Sequence, residues 1–241
     1  MLYLTSTLKS YNIHATDGEM GKVKDIYFDD HSWAIRYAQV DTHKWLPARN
    51  VYVSPSSFTG MNNNEKQVEV NHTKETIKNS PTIPSDTEIS KSNEASLTEY
   101  YGWNRYWRGT NLWGAVDRPF VPKVPSQNEE QTARRNEKEM NENKNYVLLN
   151  ESDTVGIKVH GHDGKMGHIT DLVFDDENWK IDYLVLKIVK VPADKYYLVR
   201  TNHIKSVEWS EKDLYVDLNA VDLDKQVSFE TKEDALASLK I

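Results

Sequence analysis

The sequence predicts a mainly β protein built of two tandem small β-barrels, joined by an irregular aromatic-containing linker and followed by a short C-terminal helix. Three observations predict this class. One stretch of sequence occurs twice, apolar residues alternate with polar ones in both occurrences, and Gly-containing turns separate the alternating runs. Several short strands without a long helical period are typical of small barrels.

The internal repeat sets the domain organisation. Residues 17–37 and 163–183 are identical at eleven of twenty-one positions, at a constant shift of 146. Two copies are too few for a solenoid, which needs about three repeats to bury a continuous core. We therefore expect a first barrel at residues 1–80, a linker at 81–146 and a second barrel at 147–241.

Each copy reads as an ordered series of strands and turns. An Asp-Gly pair predicts a tight turn, a strand follows, and an Asp-Asp pair predicts the next turn. Alternation of Trp, Ile and Tyr then indicates a strand with one buried face, so we expect Trp33 and Trp179 to be buried at equivalent positions. The predicted strands are 22–28, 33–37, 52–53 and 67–70 in the first copy, and 168–174, 179–185, 197–199 and 214–218 in the second.

The middle of the chain has a different composition. Residues 71–96 are rich in Asn, Ser, Thr, Pro and Glu and read as a loop or extended linker, and residues 122–145 read as a charged tether. At the C-terminus, residues 231–239 predict a short helix capped by Thr231 or Ser228, with acidic residues in its first turn.

An aromatic segment lies inside this linker. Its residues either pack back onto a barrel, form a docking patch for a partner protein, or stack on bases with the help of two arginines. The docking interpretation makes eight residues candidates for partner binding: Tyr100, Tyr101, Trp103, Arg105, Tyr106, Trp107, Arg108 and Trp113.

Composition excludes several classes of function. The chain has no cysteine, so disulfides, thiolate chemistry and Cys-based metal sites are ruled out. A net charge of −7 argues against a dedicated DNA binder, because phosphate contacts require a basic face. Neither a signal-peptide pattern nor an apolar run of membrane-spanning length is present, and we expect a cytoplasmic protein with no integral membrane segment.

A search for chemistry yields weak candidates. His160 and His162 lie on one face of an extended strand at a spacing that can chelate a metal, with His168 nearby, but only His160 has a histidine counterpart in the first copy, His14. The Asp-Asp pairs read as turns rather than as metal or acid–base groups, and no nucleophile or phosphate-loop motif is present. We expect no catalytic residues, no metal and no cofactor, and therefore no enzyme.

One pair of positions reverses its charges between the copies. Arg36 and Asp41 in the first copy correspond to Asp182 and Lys187 in the second. Either an ion pair between the copies or ordinary surface drift explains this reversal.

The repeated motif resembles the PRC-barrel family. The resemblance is carried by Asp-Gly-x-Met-Gly-x-Val/Ile-x-Asp-x-x-Phe-Asp-Asp followed by Trp-x-Ile-x-Tyr, in both copies. The layout is similar to bacterial tandem PRC-barrel proteins, in which a Tyr-Tyr-Gly-Trp-x-x-Tyr-Trp segment follows the first barrel, here residues 100–107. The second copy departs from the pattern, with residues 186–188 reading Leu-Lys-Ile where the first copy has Val-Asp-Thr at 40–42, and without a second aromatic segment.

The resemblance implies small barrels used as assembly, scaffold or regulatory modules. Our leading hypothesis is a non-enzymatic module that binds a partner protein or self-associates. The alternatives are an RNA- or ribosome-associated accessory factor, by analogy with the barrel of a ribosome-maturation factor, and a barrel that binds a small ligand or metal. Fold alone does not decide among them.

Overall fold

The computed structural model describes residues 1–46, 49–84, 89–103, 146–189 and 193–239. The chain divides into two compact units. The first, here the repeat-1 unit, is Lys9–Leu148. The second, the repeat-2 unit, is Leu149–Ile241 together with Met1–Leu8. Residues at the start of the chain therefore belong to the unit that contains the second sequence copy.

Short strands dominate both units, which confirms the mainly β class. The strands are β1 Leu2–Leu4, β2 Asn12–Ala15, β3 Gly18–Asp29, β4 Ile35–Val40, β5 Val51–Val53, β6 Phe58–Asn62, β7 Gln67–Val70, β8 Leu148–Asn150, β9 Lys158–Gly161, β10 Gly164–Asp175, β11 Lys180–Ile188, β12 Lys195–Arg200, β13 Ile204–Glu208 and β14 Asp213–Val216. The helices are α1 Thr5–Leu8, α2 Lys74–Lys78, α3 Lys91–Tyr101, α4 Glu151–Thr154, α5 Ala220–Asp224 and α6 Lys232–Ser238.

The repeat-1 sheet is organised around β3, a strand of 12 residues. Its hydrogen-bonded order is β5-β4-β3-β2-β7-β6, and β8 pairs with β3 outside this path. The first part of β3 pairs with β2 and the remainder pairs with β4, both antiparallel. Strands β2 and β7 pair in parallel. One long strand therefore holds together the two halves of the sheet.

The repeat-2 sheet has the same order of equivalent strands. It runs β12-β11-β10-β9-β14-β13, and β1 pairs with β10 outside this path. Among the described residues, the end strands of each path are not paired with each other, so both sheets are open by their hydrogen bonding. Closure of the two sheets into barrels stays a prediction.

The two predicted core tryptophans are confirmed. Trp33 is 5 % exposed and Trp179 is 1 % exposed, and each stacks on the phenylalanine of the preceding strand with ring centroids 5.3 Å apart. Both have positive φ, 61° and 54°, which is uncommon for a bulky residue. The Asp-Asp turn therefore ends in a left-handed residue whose side chain is held by the core.

The prediction that the strand after this turn has one buried face is wrong in the repeat-1 unit, where all six residues of β4 are buried. The reason is a second apolar layer on the sheet, formed with Tyr37, Tyr52, Ile83, Ile89, Leu97 and Trp103. The repeat-2 unit has a corresponding second layer, in which Leu2, Leu4, Leu236 and Leu239 pack with Tyr183, Val173 and Val185.

The loop assignment for residues 71–96 is also wrong where α2 and the start of α3 lie. Each helix begins after a residue whose side-chain oxygen accepts a backbone N–H three positions on, Thr73 for α2 and Ser90 for α3. Ser90 and Asn93 form a reciprocal capping box, which satisfies N–H groups that a helix start leaves unpaired.

The predicted C-terminal helix is confirmed as α6, with Thr231 as its cap: the hydroxyl of Thr231 accepts the Asp234 N–H at 3.1 Å. The predicted tether at 122–145 lies outside the described residues. None of the described helices is long and apolar enough to cross a membrane.

Candidate functional site

Three of the eight candidate partner-binding residues lie within the described chain. Tyr100 and Tyr101 end helix α3, and Trp103 follows the glycine that caps it. The other five candidates, Arg105, Tyr106, Trp107, Arg108 and Trp113, lie outside the described residues. We call residues 100–103 the aromatic anchor.

Helix α3 ends in a way that turns the anchor inward. Gly102 adopts a left-handed conformation with φ of 67°, which glycine tolerates because it has no Cβ. The Trp103 N–H donates to the Thr98 carbonyl at 3.1 Å, so the chain reverses at the end of the helix. Trp103 consequently packs against the repeat-1 sheet and is 7 % exposed.

The Trp103 ring is fixed by contacts on several sides. It stacks on Tyr101 with centroids 4.5 Å apart and planes 14° apart, and its centroid lies 6.0 Å from that of Tyr37. The indole N–H donates to the buried hydroxyl oxygen of Ser57. Because both the apolar body and the polar N–H of the ring are satisfied, Trp103 holds the end of α3 on the sheet.

Ser57 also lies beside a histidine. Its Oγ is 2.7 Å from His72 Nε2, and the His72 ring lies 4.8 Å from the Tyr101 ring. Burial lowers the pKa of His72. A Ser–His contact is a part of many nucleophilic sites, but here Ser57 is 1 % exposed and accepts the Trp103 N–H, so the pair serves the packing of the anchor.

The two tyrosines of the anchor differ in exposure. Tyr101 lies against Trp103 and His72, and burial raises its pKa to about 12. Tyr100 contacts Tyr101 edge to face at 5.0 Å, donates its hydroxyl to the Thr76 carbonyl at 2.8 Å, and remains 40 % exposed. Tyr100 is therefore an exposed aromatic ring on a rigid base.

A buried acid, Glu94, lies on the buried face of α3. Glu94 is 3 % exposed and accepts hydroxyl protons from Tyr37 at 3.1 Å and from Tyr146 at 2.8 Å. Burial raises the pKa of Glu94. The Arg36 guanidinium lies 4.9 Å from the centre of the Tyr146 ring and pairs with Asp29 at 2.9 Å. These contacts connect α3 with strands β3 and β4 and with residue 146.

The repeat-2 unit has a buried acid of its own in β10. Asp171 is 0 % exposed and accepts from the Thr5 hydroxyl at 2.9 Å, from the Ser6 N–H at 3.1 Å and from the Lys232 ammonium at 2.7 Å. The carboxylate thus connects α1, at the start of the chain, with α6, at its end. A buried charge needs such partners, because an unpaired one is strongly unfavourable.

His160 and His162 each contact a different aspartate. His160 Nε2 lies 2.9 Å from Asp213, and His162 Nε2 lies 2.6 Å from Asp217. Within the described residues, no three His, Cys, Asp or Glu side chains are grouped as metal ligands. His168 lies in β10, opposite Lys187 of β11 and Lys158 of β9, and it is not part of either His–Asp contact.

Three of the four residues with reversed charges have a charged partner within their own copy. Besides the Arg36–Asp29 pair, Asp41 contacts His43 Nδ1 at 2.7 Å and Lys187 contacts Asp194 at 2.7 Å. Burial raises the pKa of Asp182, the residue at the position of Arg36. Arg36, Asp41 and Lys187 thus each pair with a residue of their own copy, and both explanations of the reversal stay predictions.

Sequence reasoning missed the buried acids. Asp25 and Asp171 occupy the same position of the repeated strand, where flanking apolar residues give a signal that a carboxylate faces the interior. Glu94 has no such signal, because the sequence around it is polar and resembles a linker.

No protein-family model matches the chain, and no curated protein matches it.

Proposed function

We propose that the chain is a non-enzymatic protein-interaction module built of two PRC-type barrels, and that it binds a partner protein through the aromatic segment that starts at the aromatic anchor. The observation that carries the proposal is the contrast within the anchor. Trp103 is 7 % exposed and fixed, whereas Tyr100 is 40 % exposed on the same rigid support.

A rigid attachment favours binding because the entropy lost when a segment becomes ordered opposes association, and a segment that is already fixed at one end loses less. The burial of Trp103 against Tyr101 and Ser57 fixes the residue that directly precedes the rest of the aromatic segment in the sequence. The next ten residues contain Tyr, Trp and Arg in a proportion typical of interface hot spots. The proposed contact residues are thus Tyr100 together with Arg105, Tyr106, Trp107, Arg108 and Trp113.

The equivalent order of strands in the two units supports the barrel part of the proposal. Both sheets are built around a 12-residue strand that carries the repeated motif. The described residues of the second unit include no aromatic anchor of this kind, so we assign the proposed partner surface to the first.

The test is affinity co-purification of the full chain with two tryptophans of the segment replaced, Trp107→Ala and Trp113→Ala. The matched control is Trp209→Ala, a half-buried tryptophan in the repeat-2 unit. We expect the amount of a discrete protein partner that is retained to fall about tenfold for each of the two tryptophans replaced. The control variant should retain as much partner as the wild type.

The conditions of the same experiment separate the alternatives. Retention that survives nuclease treatment and high salt supports a protein partner, and light scattering of the purified chain reports self-association. Retention that nuclease or rising salt abolishes contradicts the proposal and supports the RNA-associated alternative. Equal retention by all variants also contradicts it.

A further inference from the structure

The two sequence copies begin with segments that occupy each other's units. By the shift of 146, residues 1–8 of the first copy correspond to residues 147–154 of the second. Yet Met1–Leu8 belong to the repeat-2 unit, whereas of residues 147–154 only Val147 and Leu148 belong to the repeat-1 unit, where β8 pairs with β3. We call residues 1–8 and 146–148 the lead segments.

The main-chain nitrogen and carbonyl oxygen of the two lead segments make corresponding hydrogen bonds. The Asp176 N–H donates to the Met1 carbonyl at 3.0 Å, and the Asp30 N–H donates to the Val147 carbonyl at 3.1 Å. In return, the Met1 nitrogen donates to the Asp176 carboxylate and the Val147 nitrogen to the Asp30 carboxylate. Asp30 and Asp176 are equivalent positions of the repeat, so each copy uses the same acceptor for a lead segment.

The apolar contacts also correspond. Leu2 and Leu4 pack with Tyr183 in the second layer of the repeat-2 sheet. Leu148, the counterpart of Leu2, packs with Tyr37, the counterpart of Tyr183, in the second layer of the repeat-1 sheet. Each lead segment therefore covers the same region of an equivalent sheet.

The charged contacts around each lead segment are different. Residues 5 and 6 are held by Asp171 and Lys232. Residue 146 is held by Glu94 through its hydroxyl and by Arg36 and Lys91, which lie 4.9 and 5.3 Å from its ring centre. Each lead segment is thus held by charged or polar side chains of the unit that it joins.

We propose that the two copies exchange their lead segments reciprocally within one chain. The end of β10, with Asp171 and Lys232, is a strand-binding surface whose partner is the lead segment of the first copy. The end of β3, with Glu94 and Arg36, is the corresponding surface for the lead segment of the second copy. Each unit is then complete only with residues from the other copy, and the two copies fold as an obligate pair.

Engineered disulfides test the exchange directly, because the chain has no cysteine of its own. Leu2 lies opposite Asp175 in the antiparallel pair of β1 and β10. Hydrogen-bonded and non-hydrogen-bonded pairs alternate along such a ladder. Because the adjacent residues Met1 and Asp176 are hydrogen-bonded, Leu2 and Asp175 form a non-hydrogen-bonded pair. Cα atoms of such a pair are about 4.5 Å apart, within the range of a disulfide. The test variant is Leu2→Cys with Asp175→Cys in the full chain, and the matched control is Leu2→Cys with Asp29→Cys, the same acceptor position in the first copy.

We expect an intramolecular disulfide in the 2/175 variant and none in the 2/29 variant. Formation of the 2/29 disulfide overturns the proposal, because the lead segment then pairs with its own copy. A 2/175 disulfide found only between two molecules overturns the exchange within one chain and assigns the lead segment to a second copy.

A second measurement covers variants that fail to fold. In the full chain carrying Thr5→Ala, the hydroxyl donated to Asp171 is lost. We expect faster amide hydrogen exchange at residues 171–175 and unchanged exchange at residues 25–29. Faster exchange confined to residues 25–29, or no increase at residues 171–175, overturns the proposal.

Discussion

The Thr5 hydroxyl donates a hydrogen bond of 2.9 Å to the buried carboxylate of Asp171, across 166 positions of sequence. This contact fixes the first helix of the chain on the strand that carries the second copy of the repeat. The same carboxylate accepts from Lys232 in α6, so both ends of the chain depend on one buried acid.

Replacing Asp171 by Ala removes this acceptor. We expect the free energy of unfolding to fall by about 3 kcal/mol, because donors in α1 and the partly buried Lys232 lose a charged partner. Urea unfolding followed by tryptophan fluorescence measures the change. The exposed Glu211→Gln is the control, and an equal effect of the two substitutions would contradict the proposed importance of the buried acid.

The left-handed tryptophans give a second prediction. Trp33→Ala and Trp179→Ala should each lower the free energy of unfolding by about 3 to 5 kcal/mol, through loss of buried ring volume. At the same positions Gly should be less destabilising than Ala, by about 1 kcal/mol, because φ is positive at both residues. Thermal or chemical unfolding of the four variants checks the order, and Ala variants more stable than Gly variants would show that backbone strain is absent there.

The glycine pair of the motif supplies a third prediction. A Cβ on Gly21 would lie 1.8 Å from the Asp41 carbonyl oxygen, and φ there is 147°. Gly21→Ala should therefore destabilise the repeat-1 unit by about 3 kcal/mol or more. Gly60→Ala is the matched control, because its Cβ would meet only the Glu69 side chain, at 3.4 Å or beyond. The two variants are compared by urea unfolding, and similar midpoints would contradict the steric account.

Glu94 provides a pH-dependent prediction. Because burial raises the pKa of this carboxyl, the folded state retains a proton that the unfolded state has lost, and stability should fall as pH rises from the ordinary glutamate range through the raised pKa. Glu94→Gln should remove this part of the pH dependence. Unfolding free energies of the wild type and the variant across pH 4 to 8 measure it.

The control for this prediction is Glu99→Gln, an exposed residue of the same helix. It should leave the pH dependence as in the wild type. A pH profile of Glu94→Gln that runs parallel to the wild type would show that Glu94 does not titrate as its burial requires.

Sequence patterns predicted the parts of the fold that are local and repeated. The shared motif predicted two equivalent β-barrels, of which the two equivalent sheets are confirmed, and the alternation around Trp33 and Trp179 predicted the burial of both tryptophans. Helix α3 was missed because it has few apolar residues, of which only Leu97 is fully buried, and because its capping box lies in a polar segment that resembles a linker.

The lead segments were missed for a different reason. Three-residue strands such as β1 and β8 carry no period that distinguishes one acceptor from another. Their pairing is set by backbone hydrogen bonds and by tertiary contacts such as Tyr146 with Glu94, and neither leaves a local signal in the sequence. The buried Asp171 could have been suspected, because its counterpart Asp25 interrupts the apolar strand at the same place.

The measurement that most directly tests the proposed partner binding is site-specific photo-cross-linking from position 100. A photoreactive phenylalanine analogue replaces Tyr100 in the full chain, and the matched control carries it at the half-buried Tyr215. We predict a discrete protein cross-link from position 100 that excess wild-type chain suppresses and the Trp107→Ala/Trp113→Ala variant does not. The same cross-links from both positions, or suppression by both competitors alike, would contradict the account.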